Sequence, residues 1–232
     1  MPEPDGGRHT MAIPTASPVV LDALADATRR AALAELVDSG ATATVGELAA
    51  TLAERRIETD PDTGGSDATV DRAELRTALH HVHLPTLAEA GGITFDPESG
   101  LVAAPSDTPF DREWAARLVA DHPDPAYDAT LAALASERRQ VVLHELLADG
   151  PARERDLAAV VAAHERGVAP TAVPASVTEV VELSLTHTHV PRLVAAGFVT
   201  RDPDGGLAAA SMPWRSDPWV AASPLESWPA PS

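Results

Sequence analysis

The sequence predicts a mainly α fold with small β-hairpins (α+β), arranged as two tandem copies of one three-helix-plus-hairpin unit. Three observations predict it: two sequence blocks recur in the same order, apolar residues inside them recur at helical spacing, and each second block ends in a short run broken by a Pro- and Gly-containing turn. LDALADATRRAALAELVDSG at residues 21–40 lies over LAALASERRQVVLHELLADG at 131–150. HVHLPTLAEAGGITFDPESGLVAA at 81–104 lies over HTHVPRLVAAGFVTRDPDGGLAAA at 187–210, and about half of that second pair is identical without a gap. Chance does not repeat two blocks in order; duplication does.

Each element has its own reason. Asp26 and Ser136 suit a helix N-cap, where a side-chain oxygen accepts an orphan N–H. Behind them Ala32, Leu33, Leu36 and Val37, like Val142, Leu143, Leu146 and Leu147, keep helical spacing. Gly40 and Gly150 fit the left-handed residue that closes a helix. A second helix is expected over residues 45–54 and 153–163. The third and longest is expected over about 69–90 and 177–196, ending at Gly91 or Gly197, with Leu75, Leu79 and Val82 facing the first core. Ile93-Thr94-Phe95 and Leu101-Val102-Ala103 then flank Asp-Pro-Glu-Ser-Gly, and the second copy uses Asp202-Pro203-Asp204-Gly205-Gly206. Pro at the second turn position and a closing Gly fit a type I turn with a bulge, hence a hairpin. Three helices and a terminal hairpin make a winged helix-turn-helix.

The resulting map has a disordered N-terminus at 1–17, winged-helix domain 1 at 18–104, a linker at 105–127, domain 2 at 128–210, and an irregular Pro- and Trp-rich tail at 211–232. The linker is expected to hold a short helix around 112–120, with Trp114 packed on a domain. Trp214, Trp219 and Trp228 are spaced too irregularly for one helix face, so they either dock onto the domains or form a short partner-binding motif. The acidic, Gly-containing segment at 57–68 is a solvated loop; its Asp60-Pro61-Asp62 lacks the Gly spacing and closing Glu of a calcium loop.

Composition narrows the function classes. The 232 residues are 44% hydrophobic but only 3% aromatic, so each core is small and built from Ala, Val and Leu. The formal charge is −18, and all 17 basic side chains are Arg. Scattered carboxylates without Lys resemble proteins adapted to a salt-rich cytoplasm, where the Debye length shrinks to about 3 Å at 1 M and self-repulsion is quenched. The absence of Cys excludes disulfides, thiolate catalysis and Cys-ligated metals. No stretch approaches the roughly 20 apolar residues of a membrane helix, and residues 1–17 lack a secretion signal, so a cytoplasmic protein is expected. No nucleophile–base pair, phosphate-cradling loop or HExxH motif is present, so neither an enzyme nor a cofactor is expected.

LADATRRAALAEL at residues 24–36 resembles the opening helix of ArsR-type winged-helix regulators. HVHLPTLAEAG and HTHVPRLVAAG resemble the end of the recognition helix in that superfamily. The His-x-His-[Leu/Val]-Pro form is similar to a winged-helix domain family of unknown function widespread in haloarchaea, whose members are grouped with transcriptional regulators. The resemblance implies DNA as a partner, with the third helix entering the major groove.

On that helix Arg72, Arg76, His80 and His83 fall on one side at helical spacing, able to meet phosphates or base edges. The second copy carries Thr178, Glu182, Thr186 and His189 there, so Thr178, Thr186 and His189 are its candidates and Glu182 is an acid in place of Arg76. His81 and His187 each lie four residues before a proline, Pro85 and Pro191, which cannot bond back to their carbonyls. A kink is expected there, with the His ring serving local polar groups. Residues two apart on a helix point about 200° apart, so neither His-x-His pair chelates alone and no metal ligands are assigned.

The expectation is therefore a DNA-binding transcriptional regulator whose copies form an intramolecular pseudo-dimer. Its rival is a non-catalytic interaction scaffold that binds a protein through domain 2 or the tail. Wing tips bearing Asp96, Glu98, Asp202 and Asp204, with Arg201 the cation nearby, motivate that rival. A His-based metal or pH sensor is the third reading.

Overall fold

The computed structural model describes residues 13–40, 42–59, 68–121 and 125–230. The expectations for residues 1–12 and for the acidic loop at 60–67, including Asp60-Pro61-Asp62, lie outside them. The described chain is mainly helical with small antiparallel strand pairs, and it divides into two compact units: Pro18–Ala135, and Ser136–Ser232 with residues 13–17. Among the described residues no helix is long and apolar enough to cross a membrane.

The first unit opens with α1 (Pro18–Leu24) and α2 (Ala27–Ser39). Asp26 separates them because its extended backbone and carboxylate, which accepts from the Arg29 amide at 3.0 Å, start a new helix. Arg29 folds back to donate to the Ala23 carbonyl at 2.5 Å and the Asp22 carbonyl at 2.8 Å, which closes α1. The short strand β1 (Ala43–Thr44) leads into α3 (Val45–Thr59) through a capping box. There the Thr44 amide donates to Glu47 at 2.8 Å and the Glu47 amide donates to Thr44 Oγ1 at 3.2 Å. Then come α4 (Ala68–Ala78), a π-turn (Leu79–His83) and α5 (Leu84–Glu89), followed by β2 (Thr94–Asp96) and β3 (Leu101–Ala103). β1, β3 and β2 form one antiparallel sheet with Thr44 opposite Leu101 and Phe95 opposite Val102.

α6 (Glu113–Asp121) and α7 (Ala126–Leu134) complete this unit. α6 packs Trp114 and Leu118 into the core beside α1 and α2. α7 opens the second repeat, yet it packs on α1. Beneath that contact Arg30 is fully buried, its Nη1 2.5 Å from the Leu24 carbonyl and 2.8 Å from Asp128 on α7. A buried guanidinium is tolerated only with such partners.

The second unit repeats the plan with α8 (Glu137–Ala148), α9 (Glu154–Arg166), α10 (Ala175–Ser184), a second π-turn (Leu185–His189), α11 (Val190–Ala195), β4 (Val199–Arg201) and β5 (Leu207–Ala209). Ala152 and Leu207 exchange two backbone hydrogen bonds where the first unit has β1 on β3. Gln140, the counterpart of Arg30, is also fully buried; its side chain accepts from the Ala16 amide at 2.8 Å and donates to the Ala16 carbonyl at 2.9 Å.

The tail, expected to be irregular, forms a 3₁₀ turn (Pro213–Ser216), α12 (Pro218–Ala221) and another 3₁₀ turn (Pro224–Ser227). Its three tryptophans are buried. Trp214 stacks on Trp219 at 6.0 Å and touches Phe198 at 5.7 Å and Trp228 at 6.4 Å. The Trp228 indole donates to the Pro14 carbonyl at 2.7 Å, tying residues 13–17 into the same unit. Four of the chain's eight aromatic residues thus gather in one cluster.

The two repeats fill one equivalent space differently. Phe198 follows the helix-closing Gly197, and its counterpart is Gly92. A Cβ on Gly92 would stand 2.7 Å from the ring of Phe110, which comes from the segment after the hairpin. One aromatic ring occupies the place in each unit, supplied from position 110 in one and 198 in the other. Gly92→Ala is therefore expected to cost about 1–3 kcal/mol by overpacking, measured by denaturant unfolding. Adding Phe110→Leu should recover part of that loss; no recovery would mean the ring is not the obstacle.

Candidate functional site

The third helix of each repeat is where the candidate residues lie, and proline sets its register. Pro85 and Pro191 have no N–H for the carbonyl four residues back, and their rings would strike it. The chain responds with a widened turn: the Leu84 amide bonds to the Leu79 carbonyl and the Val190 amide to the Leu185 carbonyl, each five residues back. One extra residue in the turn rotates everything beyond it. The core side is consequently Leu75, Leu79, Leu84 and Leu87 in the first repeat, and Val181, Leu185, Val190 and Leu193 in the second. Val82, expected in the core from unbroken 3.6-residue spacing, is 53% exposed.

The structure also separates the residues that helical spacing placed on one face. Arg72 and Arg76 are exposed on α4, with Arg72 3.5 Å from Glu54 of α3. His80 is half-buried instead. Its Nε2 is 3.1 Å from the Pro97 carbonyl in the hairpin turn, and its ring lies against Phe95 edge-on at 5.5 Å and against His81 at 4.6 Å. His83 turns towards the start of α2, where its Nδ1 is 3.5 Å from the Asp26 carboxylate.

In the second repeat Thr178 is 7% exposed and belongs to the core. Thr186 donates to Glu154 at 2.7 Å, and Arg201 pairs with the same carboxylate. Glu154 thus joins the start of α9, the π-turn and the hairpin. His189 sits between Ser136 and Arg139, its Nδ1 3.4 Å from Oγ of the one and 3.4 Å from Nη1 of the other. The rings that reach polar partners at the helix caps are therefore His83 and His189. His81 and His187, the ones expected to do so, are exposed. Among the described residues no group of three or more His, Asp or Glu is placed to hold a metal ion.

The same two junctions are built with different chemistry. Where the first repeat has His80 and Phe95, the second has Thr186 and Arg201, bridged by Glu154. Where His83 faces a carboxylate, His189 faces a hydroxyl and a guanidinium. Ser136 makes no side-chain cap to its own helix. At the hairpin tips the acids serve the turns. Asp96 accepts from Ser99 Oγ at 2.5 Å and from the Glu98 amide at 3.0 Å, which hold its carboxyl below the usual range, and Asp202 accepts from the Gly206 amide at 2.7 Å.

A family model described as a domain of unknown function, DUF7344, matches residues 21–103 and again residues 131–209. The chain belongs to this family. No curated protein and no solved structure gives a match. The two DUF7344 repeats enclose both π-turns, both hairpins and every candidate residue named above. The start of α7 and all of α12, α6 and the tryptophan-bearing tail lie outside the matched regions.

His189 gives this site a pH signature. Burial, and after it the charges of Arg139, Arg138 and Arg192, push its pKa down from 6.5 to about 4. An unfolded chain would protonate this ring near 6.5, while the folded one holds it neutral to about 4. Stability from this site is thus fully present above 6.5 and is lost as pH falls from there towards 4. His189→Asn should flatten that part of the stability–pH curve. An NMR inflection for His189 between pH 6 and 7 would contradict the assignment.

Proposed function

We propose that each DUF7344 repeat is a winged helix-turn-helix of ArsR-like kind, and that the chain is a DNA-binding transcriptional regulator of a salt-rich cytoplasm. The single observation that carries this reading is the exposed pair Arg72 and Arg76 on α4, which packs against α3 in helix-turn-helix order. Two guanidiniums one turn apart can grip phosphates or pair with guanine edges. His80 and His83, committed to the hairpin turn and the α2 cap, orient the reading helix instead of touching DNA. The intramolecular pseudo-dimer is supported by an exchange: α7 of the second repeat packs on α1 of the first, and residues preceding the first repeat join the second unit.

The acidic hairpin tips count less against DNA than their charge suggests, because Asp96 and Asp202 are engaged by their own turns. Wing contacts are nonetheless a minor part of this proposal. An interaction scaffold is the second reading, favoured by the third helix of the second repeat. It offers no Arg at the two positions equivalent to Arg72 and Arg76 and exposes Val180 and Leu183.

Selection of genomic fragments by the full chain at molar KCl, followed by titration, tests the first reading. Arg72→Ala with Arg76→Ala should weaken binding by about tenfold or more, and lower the salt slope by up to about 2 if both residues sit on phosphates. Equal affinity of the double variant would remove this helix from the interface.

A further inference from the structure

Residues 13–17, ahead of α1, adopt neither helix nor strand, yet they belong to the second compact unit. Among the described residues, the hydrogen bonds of their backbone go to side chains. Gln140 of α8 accepts from the Ala16 amide at 2.8 Å and donates to the Ala16 carbonyl at 2.9 Å, and the Trp228 indole donates to the Pro14 carbonyl at 2.7 Å. A glutamine side chain ends in an amide. It therefore offers one residue the same paired donor and acceptor that a neighbouring strand would. Recognition of extended peptides by strand addition works through that pairing.

We propose that Gln140 and Trp228 form a peptide-binding site, that its ligand is an extended segment with a small side chain two residues after a proline, and that residues 13–17 occupy it as a releasable latch. Both contact groups are held by the second unit itself. Gln140 is fully buried in α8. Trp228 is 4% exposed; Arg215 donates to its carbonyl at 2.9 Å, and its ring meets His144 of α8 edge-on at 6.1 Å. The ligand's chemistry follows from what is enclosed. Ala16 is 1% exposed, so a larger side chain has no room there. Pro14 fixes its own φ and keeps Ile13 extended, which lowers the ordering cost of binding. Release follows from how little holds the segment, since one enclosed methyl group and three hydrogen bonds to side chains make a low-stability element. Arg30, the counterpart of Gln140, has donors only and cannot accept an amide N–H, so this pairing belongs to the second repeat. The site stands independently of DNA binding.

Nuclear magnetic resonance of the full chain in molar KCl tests it. In the wild-type chain the Ala16 amide should exchange with deuterium more slowly than in an unfolded peptide, yet about tenfold or more faster than the Leu143 amide within α8. In Ala16→Leu the Trp228 indole N–H signal, identified by its loss in Trp228→Phe, should leave its hydrogen-bonded position. Adding the capped peptide Ile-Pro-Thr-Ala-Ser should bring that signal back, with half the effect at about 1 mM, the order of concentration at which a tethered segment competes. The same peptide with Leu in place of Ala should leave it unmoved. Should Ala16→Leu fail to fold, the wild-type exchange still decides. An Ala16 amide as slow as that of Leu143 makes the segment a fixed part of the core, and one as fast as an unfolded peptide leaves the site without its ligand. Either result, or a Trp228 signal indifferent to the peptide at about 10 mM, overturns the proposal.

Discussion

A proline carries no amide hydrogen, and at Pro85 and Pro191 that missing donor decides which side chains of the third helix meet the core. Without the widened turn, Val82 and Thr188 would follow Leu79 and Leu185 inward, and the helix beyond would present its apolar residues to water. With it, Leu84 and Leu87, and Val190 and Leu193, arrive beneath the helix, all of them fully buried. The widened turn gives up the regular four-residue ladder there, offset by complete burial of Leu84, Leu87, Val190 and Leu193 beyond it. The turn also swings the third histidine-bearing position onto the preceding helix cap. Core register and cap contact are thus consequences of one backbone adjustment, present in both repeats.

Once that frame is duplicated, the positions it brings together are free to change chemistry together. At the junction of helix, hairpin and second helix, an imidazole against a phenyl ring has become a hydroxyl and a guanidinium sharing Glu154. The members of the second set depend on one another through Glu154. Glu154 without Thr186 and Arg201 would be a half-buried charge short of donors. Gly92 and Phe198 show the same coupling in an apolar setting, since a ring at 92 is compatible only with removal of the ring at 110. The repeats therefore share geometry more closely than they share surface properties, which is why similarity of fold says little about whether both perform one task.

Much of the fold was legible in the sequence because its signals are local. The Asp26 cap, the Gly-terminated third helices and both hairpin turns follow from residues within a few positions of one another. The Thr44–Glu47 capping box was equally legible and passed unread. What was not legible depended on phase or on distance. Periodicity assumes 3.6 residues per turn throughout, so it places Val82 in the core, whereas the widened turn leaves that side chain exposed. The four-residue spacing of Arg72, Arg76 and His80 was real on the sequence, yet the structure leaves only the arginines open because Phe95 and Pro97, some seventeen residues on, claim the imidazole. Burial of the irregularly spaced tryptophans could not be read from helical pattern, since their partners are each other, Phe198 and Pro14.

The boundary between repeats and the boundary between compact units do not coincide, and two buried polar side chains explain why. Arg30 and Gln140 occupy equivalent positions, and each is fully enclosed. Each reaches beyond its own helix for a partner. Arg30 takes Asp128 from the leading helix of the other repeat, and Gln140 takes both backbone groups of Ala16, just ahead of the first repeat's leading helix. Each unit thereby contains a segment that sequence similarity assigns beside the other repeat. An enclosed guanidinium or amide deprived of its partner is costly, by roughly 1–3 kcal/mol for the amide and more for the charge. Neither repeat, cut out along the matched residues alone, would carry the group that completes its own core. Duplication here has left each unit completed by a segment that lies beside the other repeat, with an acid meeting the charged residue and a backbone amide meeting the neutral one.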